Sequence, residues 1–373
     1  MVYLDNAAST KVSKKAANGA LYCMLNAYAN PSSLHDFGLK SETILNNSRN
    51  SIAKILGCKK EEIYFTSGAT ESINIALIGA ARKFKFKRNI LTSAVEHSAT
   101  KNCLEYIKNL GCSITTIYPK DKIYTPKLFV NAIKEDCFLV SIMHVNNENG
   151  LLLPVEEIAA QIKSKNENIL IHVDAAQSFC KTPINLKNID LLSASGHKIN
   201  APKGVGILFI KSGVKILPLT FGGGQEGGMR PGTQATALIR ALEIAAKENY
   251  CNLNKNMSHY KTLKETLIYK LKDCEDIIFN FNNMCMPYIV NISLKGIKSQ
   301  VLMQFLQEKG FLVSSGAACS KHYKNDTLLN LGYGRNVMDS AIRISFGPTN
   351  SIIDIENLCE NIILANKTLV KYK

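Results

Sequence analysis

The stretch "ILIHVDAAQSFCKTPINLKNIDLLSASGHKINAPKGVGILFI", residues 169–210, decides the fold. It holds three apolar runs, "ILIHVDA" (169–175), "IDLLSAS" (189–195) and "GVGILFI" (204–210), that read as strands. They are apolar on both faces, as strands are in a largely parallel sheet covered by helices. Upstream, "FTS" after residue 64, "NILTSA" (89–94), "SITTIYP" (113–119) and "FLVSIMHV" (138–145) read as further strands. Helical stretches at 98–110, 125–135 and 154–165 lie between them. Strands alternating with helices give an α/β fold.

The turn "SASGHKINAPKGVG" (193–206) carries the first chemical signal. A lysine at a strand end is usually a solvated cap. Here small residues leave space around Lys198, while Ser195 and His197 add polarity without charge at neutral pH. Partial burial would lower the amine pKa, as imine formation with a carbonyl requires. Asp174 ends the preceding strand, 24 residues before Lys198. Successive parallel strands end on the same edge, where ligands bind. A lysine to hold an aldehyde and a carboxylate to keep a pyridine nitrogen protonated are two groups a pyridoxal phosphate site needs. "FTSGATES" (65–72) runs from a strand into a helix, so Gly68, Ala69 and Thr70 can offer N–H groups to a phosphate. "TSAVEHSAT" (92–100) places His97 after another strand, where its ring can cover one flat face of such a cofactor.

After the Gly-rich "FGGGQEGGMRPGT" (221–233) the pattern changes. Two long helices, 234–250 and 255–273, are followed by strands near 276–281, 288–294 and 341–346 and helices near 298–309 and 351–368. The expected division is a large cofactor-binding domain over 14–250, with a smaller α+β domain formed by 1–13 and 251–373.

Composition excludes some classes. No apolar run approaches a membrane span, and "MVYLDNAAST" has neither a signal-peptide core nor an Arg-rich presequence, so the cytoplasm is expected. Eleven cysteines without any C-x-x-C indicate neither a metal knuckle nor a redox pair, and no metal site is expected. Most lie beside apolar residues, as reduced core cysteines do. The net charge of +15 is spread along the chain, with "ARKFKFKR" (81–88) as the one dense cluster. A solvated surface is the simpler reading, and no direct nucleic-acid partner is expected.

The motifs "YLDNAAST", "NPSSLH", "FTSGATES", "VEHSA", "MHVNNENG", "HVDAAQS", "SGHKINAPKGVG", "GGGQEGGMRPGT", "SSGAACS" and "AIRISFG" occur in this order along essentially the whole chain. In them the sequence resembles the cysteine desulfurases of the NifS/IscS type, a class V aminotransferase-like group of fold-type-I pyridoxal phosphate enzymes. The resemblance implies an α/β fold with a mainly parallel seven-stranded sheet and a smaller α+β domain. It implies Lys198 as Schiff-base lysine, Asp174 as partner of the pyridine nitrogen and His97 as the ring-stacking, proton-moving histidine. Asn147 and Gln177 match polar residues around the ring, Asn147 also near the substrate. Thr70, Ser195 and His197 match phosphate ligands. Thr233 matches a phosphate ligand supplied by the other subunit, which implies a homodimer. Arg343 matches the clamp of the substrate carboxylate, a role suited to its planar fork.

Cys319, in "SSGAACS", matches the family's nucleophile. The implied reaction removes sulfur from L-cysteine, giving L-alanine and a Cys319 persulfide. Sulfur then passes to acceptor proteins such as an iron–sulfur scaffold or a tRNA-thiolation enzyme. "SSGAAC" resembles the branch whose nucleophile is carried on a long mobile loop. The chain departs from the pattern in a shorter stretch after Cys319, in "GTQATAL" and in fewer arginines around the Gly-rich run, which bears on acceptors rather than on the reaction. Two rivals stand beside this reading: a selenocysteine lyase on the same fold, and a basic binding or scaffold protein with a vestigial fold.

Overall fold

The computed structural model describes residues 1–84, 88–315 and 327–371. Cys319 and the residues around it lie outside the described residues. Strands are β1 (Val2–Tyr3), β2 (Ile63–Thr66), β3 (Asn89–Ser93), β4 (Ser113–Ile117), β5 (Cys137–Met143) and β6 (Leu170–Asp174). They continue with β7 (Leu191–Ser195), β8 (Gly206–Ile210), β9 (Ile277–Phe279), β10 (Ile289–Leu294), β11 (Phe311–Leu312) and β12 (Ala341–Ser345). Helices are α1 (Lys14–Asn26), α2 (Asp36–Leu56), α3 (Ala69–Lys83), α4 (Ser98–Asn109), α5 (Pro126–Asn131) and α6 (Val155–Lys165). The remainder are α7 (Thr236–Cys251), α8 (Leu253–Leu271), α9 (Ser299–Glu308), α10 (Thr327–Asn330), α11 (Arg335–Asp339) and α12 (Ile352–Thr368).

A seven-stranded sheet has the order β2-β8-β7-β6-β5-β3-β4. β7, β6, β5, β3 and β4 are mutually parallel, as their two-faced apolarity predicts. β8 runs antiparallel to both β7 and β2. The cause is connector length: the ten residues 196–205 form a tight turn, too short for the helical crossover a parallel strand needs. The chain order reverses at β3 and β5, so the carboxyl ends of β3, β5, β6 and β7 open onto a topological switch point.

α1 and α2 are elements for which sequence reading gave no expectation. α1 is capped by Ser13, whose Oγ accepts from Ala16 N–H, and α2 stops at Gly57, where φ of 67° suits glycine. α2 reaches back to the Gly-rich stretch through Arg49, which forks onto buried Glu226 at 2.8 and 2.6 Å. Glu226 Oε2 also accepts from Phe65 N–H at 2.8 Å, so one carboxylate ties α2, β2 and residues 221–233 together. The helix expected over 125–135 is confined to Pro126–Asn131, Pro126 fixing its first turn.

The second assembly of strands has the order β12-β10-β9, antiparallel throughout, packed under α8, α9 and α12. Its apolar core also takes in Leu4 and Ala7 from the start of the chain. β1 pairs in parallel with β11, and Asp5 bridges to Ser345 on β12. The following residues, Ala7 to Thr10, lie against the turn that carries Lys198.

Candidate active site

A cavity of about 800 Å³ opens at the carboxyl ends of the central strands. Its wall includes Gly68, Ala69, Thr70, His97, Asn147, Asp174, Gln177, Ser195, His197, Lys198 and Arg343. Thus all but two of the site residues expected from sequence converge on one space. Of the two exceptions, Cys319 lies outside the described residues. Thr233 faces a separate open pocket with Glu71 and Arg230, whose ion pair at 3.1 Å joins the start of α3 to the Gly-rich stretch.

Lys198 sits on a single turn of 3-10 helix after β7. Its Nζ donates to Ala7 O at 2.6 Å and Ala8 O at 2.9 Å. Burial pushes the amine down to about 8, with Arg343 next in effect, while Asp5, Asp174 and Glu148 oppose. His197 beside it is pushed down to about 4 by burial and by the Lys198 charge, so it is neutral at pH 7. Thr10 fixes this turn: its Oγ1 donates to His197 O at 2.9 Å and accepts from Asn200 N–H at 2.7 Å.

Asp174 ends β6, buried, with Oδ1 accepting from Ala176 N–H at 2.9 Å. Burial raises its carboxyl, opposed by that hydrogen bond and by the nearby His97 and Lys198. A carboxyl placed in this way is most stable as a carboxylate when a cation lies against it. His97 is the N-cap of α4, its Nδ1 accepting from Ala99 N–H at 3.1 Å. Burial lowers its pKa and keeps the ring neutral, a flat polarisable surface on the cavity wall.

The start of α3 meets the start of β8 at close range. A Cβ on Gly206 would lie 2.5 Å from Gly68 Cα, and Ser195 Oγ stands 3.6 Å from where a Cβ on Gly68 would be. The first-turn N–H groups of α3 therefore face the same corner as the Ser195 hydroxyl, which is an anion cradle.

Arg343, on β12, crosses from the smaller sheet to the opposite wall. Nη1 donates to Asn147 O at 2.9 Å and Nη2 pairs with Asp5 Oδ1 at 2.7 Å. Its Nε and the Asn147 Oδ1 are enclosed without a hydrogen-bond partner, although both residues line the cavity.

Sequence reading missed several groups of this site. Asp5 and the Ala7 and Ala8 carbonyls come from "YLDNAAST", a motif quoted for resemblance but given no role. Glu96, next to His97, accepts from Met143 N–H at 2.9 Å and from Ser93 Oγ at 2.5 Å, and burial pushes it up to about 8. Lys101, one turn after His97, and Lys203 add further positive charge to the wall. The spacing of His97 and Lys101, four residues apart at the start of a helix, was the available signal for the former.

The profile of the class-V aminotransferase family matches residues 2–358. A cysteine desulfurase IscS of Buchnera aphidicola subsp. Baizongia pistaciae is 39% identical over 361 residues, covering 93% of this chain and 88% of that protein. A NifS/IcsS protein homolog of Lactobacillus delbrueckii subsp. bulgaricus is 35% identical over 362 residues, 94% of each chain. Among solved structures, a NifS-like protein superposes with a TM-score of 0.93 at 33% identity, covering 99% of this chain and 100% of that one. With the cavity built at the strand ends as described, these likenesses place the protein: the chain belongs to the class-V aminotransferase family, among its NifS/IscS-like members.

Proposed function

We propose that the protein is a pyridoxal phosphate-dependent cysteine desulfurase. The observation that carries this reading is the convergence of Lys198, Asp174, His97 and Arg343 on one cavity. The wall also suits the cofactor itself: an amine for the aldehyde, a buried carboxyl that favours a cationic ring nitrogen, and helix N–H groups with a serine hydroxyl for the phosphate. Asn147 and Arg343, joined by the Nη1 hydrogen bond to Asn147 O, bring further polar groups to the same wall.

In this reading Lys198 holds the cofactor, Asp174 faces its ring nitrogen and His97 covers the ring. Gln177 and Asn147 meet its polar edge, and Gly68, Ala69, Thr70, Ser195 and His197 surround its phosphate. The bound cofactor supplies an electron sink that weakens bonds at the substrate α- and β-carbons. Arg343 receives the substrate carboxylate. Lys198 Nζ, with a pKa of about 8, is partly neutral at physiological pH and suits taking the α-proton. The Cys319 thiolate attacks the substrate sulfur; the carbon–sulfur bond breaks, a sulfur–sulfur bond forms, and L-alanine leaves. The net change is L-cysteine plus the Cys319 thiol giving L-alanine plus the Cys319 persulfide.

Thr233 lies off the cavity of its own chain, which suits a phosphate ligand given to a second copy. Met24, Leu25, Tyr28, Leu34, Phe37 and Leu39 are each exposed on α1, α2 and the segment between them, with Tyr28 and Phe37 in ring contact, and such apolar side chains suit burial in a homodimer. In this reading the chain divides into a large cofactor-binding unit over 14–250 and a smaller one formed by 1–13 with 251–373. Sulfur acceptors would be an iron–sulfur scaffold or a tRNA-thiolation enzyme in the cytoplasm. Among the described residues no helix is long and apolar enough to cross a membrane.

The test is release of L-alanine and sulfide from L-cysteine with a reductant, beside the near-visible absorbance of the purified protein. A Cys319→Ser variant should keep the absorbance and lose the release. Undiminished turnover in that variant removes Cys319 from the mechanism. A colourless chain that cannot be reconstituted supports the scaffold rival, and turnover confined to selenocysteine supports the lyase.

A further inference from the structure

A second amine, on the half-buried Lys181, is turned inward beside Lys198. Lys181 follows β6 on the same stretch as Gln177, and its Nζ donates to Gln177 Oε1 at 3.3 Å and lies 4.9 Å from the centre of the Tyr288 ring. Both partners are buried, and among the described residues Lys181 forms no ion pair with a carboxylate. A lysine kept for solubility carries its amine to water along an exposed stem. This one turns its amine inward, to a small cavity of about 20 Å³ shared by Lys181, Lys198, Gln177 and Asn249, large enough for a single water.

Gln177 is held at both ends of its carboxamide. Nε2 donates to Ala7 O at 2.8 Å, the same carbonyl that accepts from Lys198 Nζ, while Oε1 accepts from Lys181. A carbonyl only accepts, so Ala7 fixes which end of the amide is nitrogen, and Lys181 supplies the matching donor at the other end. The amide nitrogen carries two hydrogens, and Ala7 takes one. The other is left for the main cavity, which Gln177 lines.

We propose that Lys181 is a positioning residue, its amine fixing the Gln177 carboxamide so that an amide N–H is presented to the cofactor. The proposal rests on the reading of the main cavity as a pyridoxal phosphate site. It adds a reason for burying an amine where apolar packing would cost less. Titratable groups around that amine are Lys198 and His197 from the neighbouring turn, Cys180 beside it in sequence, and Tyr288 and Tyr260 across the small cavity. Burial, then the Lys198 charge, pushes Lys181 down to about 7. It therefore donates while adding little positive charge above neutral pH.

The test compares wild type with Lys181→Met and Lys181→Arg, each converted to apoprotein and titrated with pyridoxal phosphate. In Lys181→Met the dissociation constant should rise about fivefold, the worth of one net hydrogen bond. The absorbance titration of the bound cofactor should move to higher pH, because the Gln177 N–H is no longer held in place to donate to it. Lys181→Arg, which keeps a donor, should bind within about twofold of wild type. Unchanged binding and titration in Lys181→Met overturn the proposal. Equal loss in both variants, tracking a fall in melting temperature, shows a packing role and overturns it too. A wild-type protein that takes up no pyridoxal phosphate sinks the site reading itself, a result distinguishable from either.

Discussion

Ser314 and Arg343 exchange both of their backbone hydrogen bonds, Arg343 N–H to Ser314 O at 2.6 Å and Ser314 N–H to Arg343 O at 3.1 Å. The arginine that faces the cavity and the residue five before Cys319 are thus a single bridged pair. The guanidinium is fixed from the backbone outward: paired strand, buried stem, then Nη1 on Asn147 O and Nη2 on Asp5. Lysine at 343 would keep the charge and lose the fork. Arg343→Lys should raise KM for L-cysteine by about tenfold to a hundredfold, the loss of one to two charge-assisted hydrogen bonds. Cofactor absorbance should be unchanged; steady-state kinetics with an absorbance scan checks both, and an unaltered KM refutes the clamp.

Asp5 aims that clamp. It contributes the only carboxylate paired with Arg343 among the described residues, through Oδ1 on Nη2 at 2.7 Å. Asp5→Asn keeps a hydrogen-bond acceptor but removes the charge, so the guanidinium is held less firmly. Arg343 is buried and Asp5 is the more exposed partner, but Asn keeps the acceptor, so the stability cost should stay at about 1 kcal/mol. The expected result is a several-fold higher KM with a melting temperature close to wild type. A large fall in melting temperature with KM unchanged would instead make Asp5 a fold residue.

Reconstitution of the apoprotein should depend on pH through Lys198. Only a neutral amine attacks an aldehyde, and this amine titrates near 8 because it is buried near Arg343. Its pKa is depressed below the usual lysine range, so the neutral fraction grows as pH rises and saturates above about 8. Below that, the rate of absorbance recovery should fall about tenfold per pH unit. A rate still rising steeply at pH 10 would mean that the amine has an ordinary lysine pKa.

Much of this was legible because parallel strands announce themselves twice, through two-faced apolarity and through the polar residue at each carboxyl end. Asp174 and Ser195 were found in that way, at the ends of β6 and β7, and His97 in the turn that follows β3. β8 carries the same apolar signature as its neighbours yet runs the other way, because direction is set by the length of the turn before it. α1 and α2 were not predicted; polar and small residues are mixed through both, and their burial is completed by tertiary contacts such as that of Arg49 with Glu226. Lys181 and Glu96 look like ordinary surface residues in sequence. Only packing reveals that one amine ends on Tyr288 and one carboxyl lies beneath His97's turn.

Arg49 and Glu226 join elements distant in sequence, and breaking one partner strands the other. Glu226 is almost fully enclosed, with its carboxylate shared between the guanidinium and Phe65 N–H. Arg49→Met should cost about 3–5 kcal/mol, the penalty of an uncompensated buried charge. Restoring neutrality with Glu226→Gln in the same chain should recover part of it. Urea denaturation of the four proteins in a double-mutant cycle measures this; a strictly additive cycle would deny the coupling.

Glu96 gives the sharpest pH signature of the fold. Its folded pKa is raised from about 4.5 to about 8 by burial, with the Asp174 charge adding to the effect against the Ser93 and Met143 hydrogen bonds. A carboxyl raised on folding favours the native state while protonated, so its contribution is intact below the unfolded value near 4.5. As pH rises from there through about 8, the unfolded chain ionises first, and stability drains away at about 1.4 kcal/mol per unit. Glu96→Gln removes the titration and keeps both acceptor contacts at the carboxamide oxygen. Wild-type melting temperature should therefore fall between pH 5 and pH 8 more than that of Glu96→Gln, and the variant should be the more stable above pH 8. Parallel curves would mean that Glu96 ionises normally in the folded protein, its charge satisfied by Ser93 and Met143 alone.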